Sequence, residues 1–263
     1  MPLPDTIWHY TNAAGLHGII TNKQLHFGDA RFMNDRTERT YADTMLREVQ
    51  AILDHPALPD LQVTLDALRL PDRLYVCCLS TNTESISQWQ RYGGDGAGYC
   101  IGFRTHDLLA VMEEDYVSIT DMLYDPAAQR EHLRDALNAT LREFAQLREA
   151  NKNYLHYLML DVDLDSVILR LKHPAFHDEQ EWRLYRRTPN DEEDTPLTCA
   201  PRGSYIKPYL ALPTNHNQPL PIAAVIAGPR LDHDIAIPAT QTFLATNQIM
   251  APVTASNLTT IWR

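Results

Sequence analysis

Short runs of apolar and polar residues with a period of two open the chain, then give way to a period of about 3.6 residues. Ile7 to Thr11 reads as a strand, Asn12 as the cap of a short helix reaching about Thr21, and Gln24 to Gly28 as a second strand. From Arg36 to Leu53 apolar side chains recur at Tyr41, Met45, Val49 and Leu53, which predicts an amphipathic helix. Leu74 to Leu79 is apolar on both faces, the pattern of a central strand. Ser85 to Tyr92 is helix-like, and Tyr99 to Phe103 predicts another strand after a loop loosened by Gly93, Gly94, Gly96 and Gly98.

The middle of the chain is helical in pattern. Pro126 to Glu149 carries good helix formers with charged i,i+4 pairs, and Asn153 to Leu171 places Leu155, Leu158, Ile168 and Leu171 at helical spacing. Together they read as a helical insertion or lid. Strands resume at Glu181 to Tyr185, Tyr205 to Ala211 and Ala223 to Ala227, followed by a helix near Pro238 to Thr246 and a last strand near Leu258 to Trp262. Asn190 to Thr195 reads as a solvated acidic loop. Without an internal repeat or a Pro/Gly/Ser linker, the expectation is one mixed α+β domain over residues 1–263.

Composition narrows the function classes. A chain of 263 residues with 44% hydrophobic and 22% charged positions has the make-up of an ordinary folded domain. Its formal net charge of −11 opposes non-specific binding to nucleic acid or anionic membranes. No run approaches the roughly 18 apolar residues of a membrane span, and the start lacks the basic and apolar regions of a secretory signal. Cys77, Cys78, Cys100 and Cys199 have no framework spacing, so reduced thiols in a cytoplasmic setting are expected.

Three constellations carry candidate chemistry. On the first strand, alternation puts His9 and Thr11 on one face and Trp8 and Tyr10 on the other; the first pair suits ribose hydroxyls, or else belongs to a half-buried strand. In Glu179-Gln180-Glu181-Trp182-Arg183, strand alternation gathers Glu179, Glu181 and Arg183 on one face. Two converging carboxylates suit a cationic, oxocarbenium-like transition state, and equally a salt-bridge ladder. Around Ser80 and Ser85 to Tyr92, Trp89 and Tyr92 lie three apart, and either can stack on a flat heteroaromatic ring or pack in the core.

Other signals argue against competing chemistries. The glycine run follows a helix and precedes a strand, the reverse of a dinucleotide fingerprint, and there is neither a phosphate-binding Gly-Lys-Ser/Thr loop nor a Gly-x-Ser-x-Gly elbow. His173 and His177 are interrupted by Pro174, so no metal is expected. Asp35 with Glu38 makes a capping box, while Asn34 and Asp35 are placed near the strand that carries His9. Trp8, Trp89 and Trp182 each neighbour one constellation, which predicts a single aromatic-lined cleft.

The order His9-Tyr10-Thr11, Gly15 to Asp29, Asn34-Asp35-x-x-Glu38, Ser87-Gln88-Trp89-x-x-Tyr92-Gly93 and Glu179-x-Glu181-Trp182-Arg183-Leu184 resembles a bacterial family of domains without assigned function. More distantly it resembles the ADP-ribosyltransferase superfamily. That resemblance implies two twisted, mostly antiparallel sheets around an NAD-binding cleft. It implies His9, Tyr10, Thr11, Asn34, Asp35, Ser80, Ser87, Gln88, Trp89 and Tyr92 as the NAD-binding set, with Tyr92 or Trp89 on nicotinamide. Glu181 would bond the nicotinamide-ribose 2′-hydroxyl and stabilise the oxocarbenium ion, while Glu179 would orient or deprotonate the acceptor. The implied activity is mono-ADP-ribosyl transfer to a protein or nucleic-acid acceptor by a toxin-like or anti-phage effector with an antitoxin or immunity partner. Transfer to water would make it an NAD glycohydrolase, and a degenerate cleft would only bind a nucleotide or a protein.

Overall fold

The structure is a computed structural model describing residues 2–32, 36–53, 55, 57–60, 73–113, 116–150, 166–188, 197–202 and 204–260. In chain order the main elements are β1 (Thr6–Thr11), α1 (Ala13–Asn22), β2 (Gln24–Asp29), α2 (Arg36–Ile52), β3 (Arg73–Ser80) and α3 (Ile86–Arg91). Then come β4 (Tyr99–Arg104), α4 (Thr105–Ala110), β5 (Ser118–Asp121), α5 (Pro126–Glu149) and β6 (Glu181–Thr188). The last are β7 (Leu197–Arg202), β8 (Tyr205–Pro213), β9 (Ile222–Ala227), α6 (His233–Thr246) and β10 (Val253–Ala255).

Side-chain capping starts several helices where the sequence places them. The Asn12 side chain accepts from the Gly15 amide at 2.8 Å and begins α1, and Asp125 accepts from the Ala128 amide at 2.8 Å, with Pro126 following, to begin α5. Asp232 caps α6 through the Asp234 amide at 3.1 Å, so that helix starts before Pro238 and takes the proline inside it. Past β10 the chain makes a 3-10 turn over Asn257–Thr260 where a strand was expected. The expected helix from Asn153 lies outside the described residues up to position 165, and Leu171 forms a parallel bridge with Leu123 instead of ending a helix. The acidic loop from Asn190 to Thr195 also lies outside them.

All ten described strands join one sheet, in the order β10-β9-β4-β1-β3-β2-β8-β7, with β6 and β5 branching from β3. Two separate sheets were expected; the described strands form one, in which β3 pairs with β1, β2 and β6. The pairing is antiparallel except between β9 and β10. One edge of β3 pairs along its whole length with β6, Arg73 opposite Thr188 through Ser80 opposite Glu181. Its other edge is shared: β2 takes Tyr75 and Val76, while β1 takes only Ser80. Between those contacts, at Cys77 to Leu79, the two arms of the sheet diverge.

Three apolar clusters fix this arrangement. The largest covers one sheet face with Ile7, Phe27, Tyr75, Cys77, Trp182 and Leu184 under α1, α4 and α6. A second joins Met45 and Val49 of α2 to Leu133, Leu137, Leu141 and Phe144 of α5, so α5 packs as core against α2. A third, on the opposite face of β1, β4 and β9, contains Tyr10, Trp89, Cys100 and Ile226. Each fully buried Leu, Ile or Phe contributes about 1.5–3 kcal/mol relative to exposure. No described helix is long and apolar enough to cross a membrane.

The glycine run serves backbone packing. Gly94 has a φ of 60°, in the left-handed region, and a Cβ on Gly98 would collide with the Thr11 carbonyl. Gly98 and Gly96 then accept from the amides of Gly228 at 2.9 Å and Arg230 at 2.9 Å, which ties the loop to the segment after β9.

Candidate functional site

The divergence of β1 from β2 opens a cavity of about 120 Å³ on the sheet, with β3 as its floor and α3 and the 3-10 turn Pro174–Glu179 as its wall. Alternation on β3 sends Cys77 and Leu79 into the main core and turns Val76, Cys78 and Ser80 the other way. Cross-strand register puts Arg183 beside Cys78 and Glu181 beside Ser80 on that second face. Trp182, between them, is buried in the core beneath.

Glu179 and Glu181 come together by a route that strand alternation does not describe. Glu179 ends the 3-10 turn, and Gln180, with a φ of 39°, lets the chain enter β6 at Glu181. The turn is tied down by the Ser80 hydroxyl, which donates to the Glu179 carbonyl at 2.6 Å, and by Ser85 Oγ, which donates to Asp178 Oδ2 at 2.6 Å. Tyr124 Oη accepts from the Glu181 amide at 2.8 Å.

Lys172 joins the two carboxylates. Its buried Nζ donates to Glu179 Oε2 at 2.6 Å and also to Glu181 Oε2. Arg183 grips Glu181 from the other side, Nε to Oε1 at 2.7 Å and Nη2 to Oε2 at 3.2 Å, while its Nη1 reaches the Leu169 carbonyl at 3.1 Å. Glu179 Oε1 has no hydrogen-bond partner among the described residues, and Arg91 Nη1 stands 3.5 Å from it. The Arg91 guanidinium also lies over the Phe176 ring, 5.3 Å from its centroid.

This asymmetry separates the two acids. Burial alone would raise Glu181, but the Arg183 and Lys172 charges overcome it and hold the carboxyl at about 2. Glu179 is raised, because its burial outweighs the attraction of Lys172. The pair is thus one carboxylate kept ionised and one that holds its proton more readily, the division by which neighbouring acids take different roles. Tyr92 is partly exposed, at 37%, yet the protein packed around it pushes its hydroxyl up to about 12, so it stays a phenol. Cys78 is open to the cavity and hydrogen-bonded to Glu181; the dense protein around it, and then the Glu181 charge, push its thiol well above the ordinary value. It stands there as a thiol, not a thiolate.

Six of the expected residues line the cavity: His9, Tyr10, Gln88, Tyr92, Glu179 and Glu181. The His9 ring is positioned by Nδ1 at 3.0 Å from the Cys78 carbonyl, which lies on the stretch of β3 where the arms diverge. Tyr10 donates to the Asn82 carbonyl at 2.7 Å and meets the Trp89 ring edge-on, at 4.9 Å between centroids.

Other expected residues stand apart from it. Trp89 is fully buried, its Nε1 donating to the Thr83 carbonyl at 3.0 Å, so it cannot stack on a ligand. Because α3 ends at Arg91, Tyr92 leaves the helix and faces the cavity alone. Ser80 is committed to backbone partners, Ser87 Oγ lies 2.9 Å from Ser85 Oγ, and Thr11 is not among the lining residues. Asn34 and Asp35 lie outside the described residues. Of the three tryptophans expected to surround one cleft, only Trp8 reaches it. Glu181 is buried, at 3% exposed.

Sequence reasoning missed Lys172, Arg91 and Cys78, and gave Arg183 a face but no partner. A lone lysine before a His-Pro pair carries no periodic signal linking it to Glu179.

A mixed α+β protein with one branched, open sheet and a buried carboxylate–ammonium–guanidinium cluster at its divergence is the class that fold and site define. Comparison adds one likeness: a family model described as a protein of unknown function, DUF2971, matches residues 88–184. That stretch runs from Gln88 through Leu184 and contains Arg91, Tyr92, Lys172, both glutamates and Arg183, but not β1 or β2. No curated protein and no solved structure matches the chain.

Proposed function

We propose that the cleft binds NAD and that the chain is a mono-ADP-ribosyltransferase, a cytoplasmic toxin-like or anti-phage effector restrained by an antitoxin or immunity partner. The observation that carries this reading is the pair of carboxylates with opposite shifts lining the cavity, one of which has an oxygen without a hydrogen-bond partner among the described residues. The C1″–N bond of NAD breaks, and its electron pair leaves with neutral nicotinamide. Glu181, ionised throughout, stabilises the positive charge developing on the ribose. The acceptor forms the new bond to C1″ and gives its proton to Glu179, whose raised affinity for a proton suits a general base. Tyr92 offers its face to the nicotinamide ring, and His9 sits beside it to bond a ribose hydroxyl.

One observation favours a second reading. Lys172 and Arg183 already compensate the Glu181 charge, which weakens its pull on an oxocarbenium ion and suits a cleft that only binds a nucleotide. Turnover separates the two. With adenine-labelled NAD and cell lysate, the wild-type chain should release nicotinamide and transfer label, and Glu179→Gln should lose about 10²–10⁴-fold in rate while keeping its fold. Label that stays on free ADP-ribose would mark water as the acceptor. No nicotinamide release from folded wild-type protein overturns the transferase reading and leaves the binding one.

A further inference from the structure

A second cavity, of about 210 Å³, adjoins the first and shares His26, Val76, Cys78 and Tyr92 with it. Together the two reach the lower end of small-ligand cleft volumes, ~300 Å³. Gly28 forms part of the floor of the second cavity. Register places it directly between Val76 of β3 and Tyr209 of β8, so all three residues present the same face. Glycine weakens a strand unless something approaches its backbone closely. Neither backbone nor packing requires it here: φ is not left-handed, and an added Cβ would meet only the Val76 carbonyl oxygen, at 3.9 Å. Among the described residues, nothing else comes within 4 Å of an added Cβ, so the space above Gly28 is open.

The walls indicate what fits it. The His26 and Tyr209 rings lie 4.3 Å apart, tilted by 35°, with Tyr92 on the side toward the carboxylates and Phe32, 46% exposed, at the mouth. Lys207, two residues before Tyr209 on the same face of β8, supplies a cation, while the Asp29 carboxylate in the same lining is paired with Arg31 at 2.6 Å. Aromatic walls over a bare floor with an ammonium in the lining fit a stacked base and its phosphate. A net charge of −11 repels a long polyanion, so a small nucleotide is the better occupant.

We infer that this second cavity is the acceptor site and that the acceptor is a mononucleotide whose base stacks above Gly28. The inference rests on the NAD reading of the first cavity. In the transfer, a nitrogen or hydroxyl of the nucleotide bonds to C1″, its proton passes to Glu179, and nicotinamide departs with the electron pair of the broken bond.

The test titrates AMP, GMP, CMP and UMP in turn into the full chain carrying Glu179→Gln and saturated with NAD, so that turnover does not consume the donor. At least one nucleotide should bind alongside NAD. Adding Gly28→Val, which fills the floor, or Phe32→Ala, which removes a half-exposed wall and its contact with Arg31, should weaken that binding at least tenfold while the protein keeps a cooperative melting transition. With wild-type protein, mass spectrometry should find the ADP-ribosylated nucleotide. Failure of all four to bind, indifference to both substitutions, or displacement of the nucleotide by NAD would overturn the inference, the last by giving the cavity to the donor's own adenine. Nucleotide binding that both substitutions abolish, with no nicotinamide release from wild-type protein, would support the base site and overturn the transferase reading.

Discussion

Replacing the Glu181 carboxylate with an amide removes the one group that answers both Lys172 and Arg183 in a buried setting. Breaking a buried pair in this way costs about 3–5 kcal/mol, because Arg183 and Lys172 both lose the Glu181 charge, although Lys172 keeps Glu179. Glu181→Gln is therefore expected to unfold at distinctly lower denaturant than wild type at pH 7. Its deficit should shrink as pH falls from about 4.5 toward 2, where the wild-type carboxylate, held at about 2 in the fold, is itself lost. Glu179 has the opposite sign. Its native carboxyl is raised above the usual 4.5, so ionisation opposes folding as pH climbs past 4.5 through the raised value. Glu179→Gln should equal wild type in stability near pH 4 and exceed it at pH 7. A melting series of both variants against pH checks this, and equal losses for the two would refute the division of roles. The carboxylates were legible in the sequence as a Glu-x-Glu pair, but their burial was not. Lys172 lies seven and nine residues upstream of them and is brought in by a 3-10 turn and the left-handed Gln180, neither of which has a periodic pattern.

Among the elements, the pair α2 and α5 does more than bury its own apolar stripe. Gln129, wholly buried on α5, accepts from Tyr41 of α2 at 2.6 Å and donates to the carbonyls of Leu123 at 2.5 Å and Lys172 at 2.8 Å. The helices thereby hold the backbone from which Lys172 reaches the carboxylates. Gln129→Leu should destabilise the chain by about 1–3 kcal/mol for each polar group left without a partner. It should also move the Glu179 titration upward as the ammonium loosens, which carboxyl NMR would follow. An unmoved titration with the stability lost would confine Gln129 to packing. Long elements with strong periodicity, such as α2 and α5, were visible in the sequence because one face had to be apolar. The strands β5, β7 and β10 were not. β10 has three residues, β5 has four, and β7 carries Pro201. So little alternation gives no period to read, and their pairing is decided by partners far along the chain.

At the scale of the whole molecule, the site exists because β3 is paired along one edge and only partly along the other. The central position of β3 was legible in LYVCCL, apolar on both faces. Its branching was not, since sequence alternation sets faces and leaves unstated which strand stops where. Joined mainly through β3, the two arms of the sheet present His9 from β1 and His26 from β2 to the same opening. A ligand filling both cavities braces the arms against each other. One present at a hundred times its Kd should add about 2.7 kcal/mol to stability. Backbone amide exchange should then slow together at Trp8 to Tyr10 and His26 to Gly28, but not in β10, which lies at the far edge of the sheet beyond β9 and β4. NAD alone should protect β1 more than β2, because the donor fills the carboxylate cavity, and the nucleotide acceptor should then complete protection of β2. If NAD alone protects both strands fully, the donor spans the two cavities and no room is left above Gly28 for an acceptor.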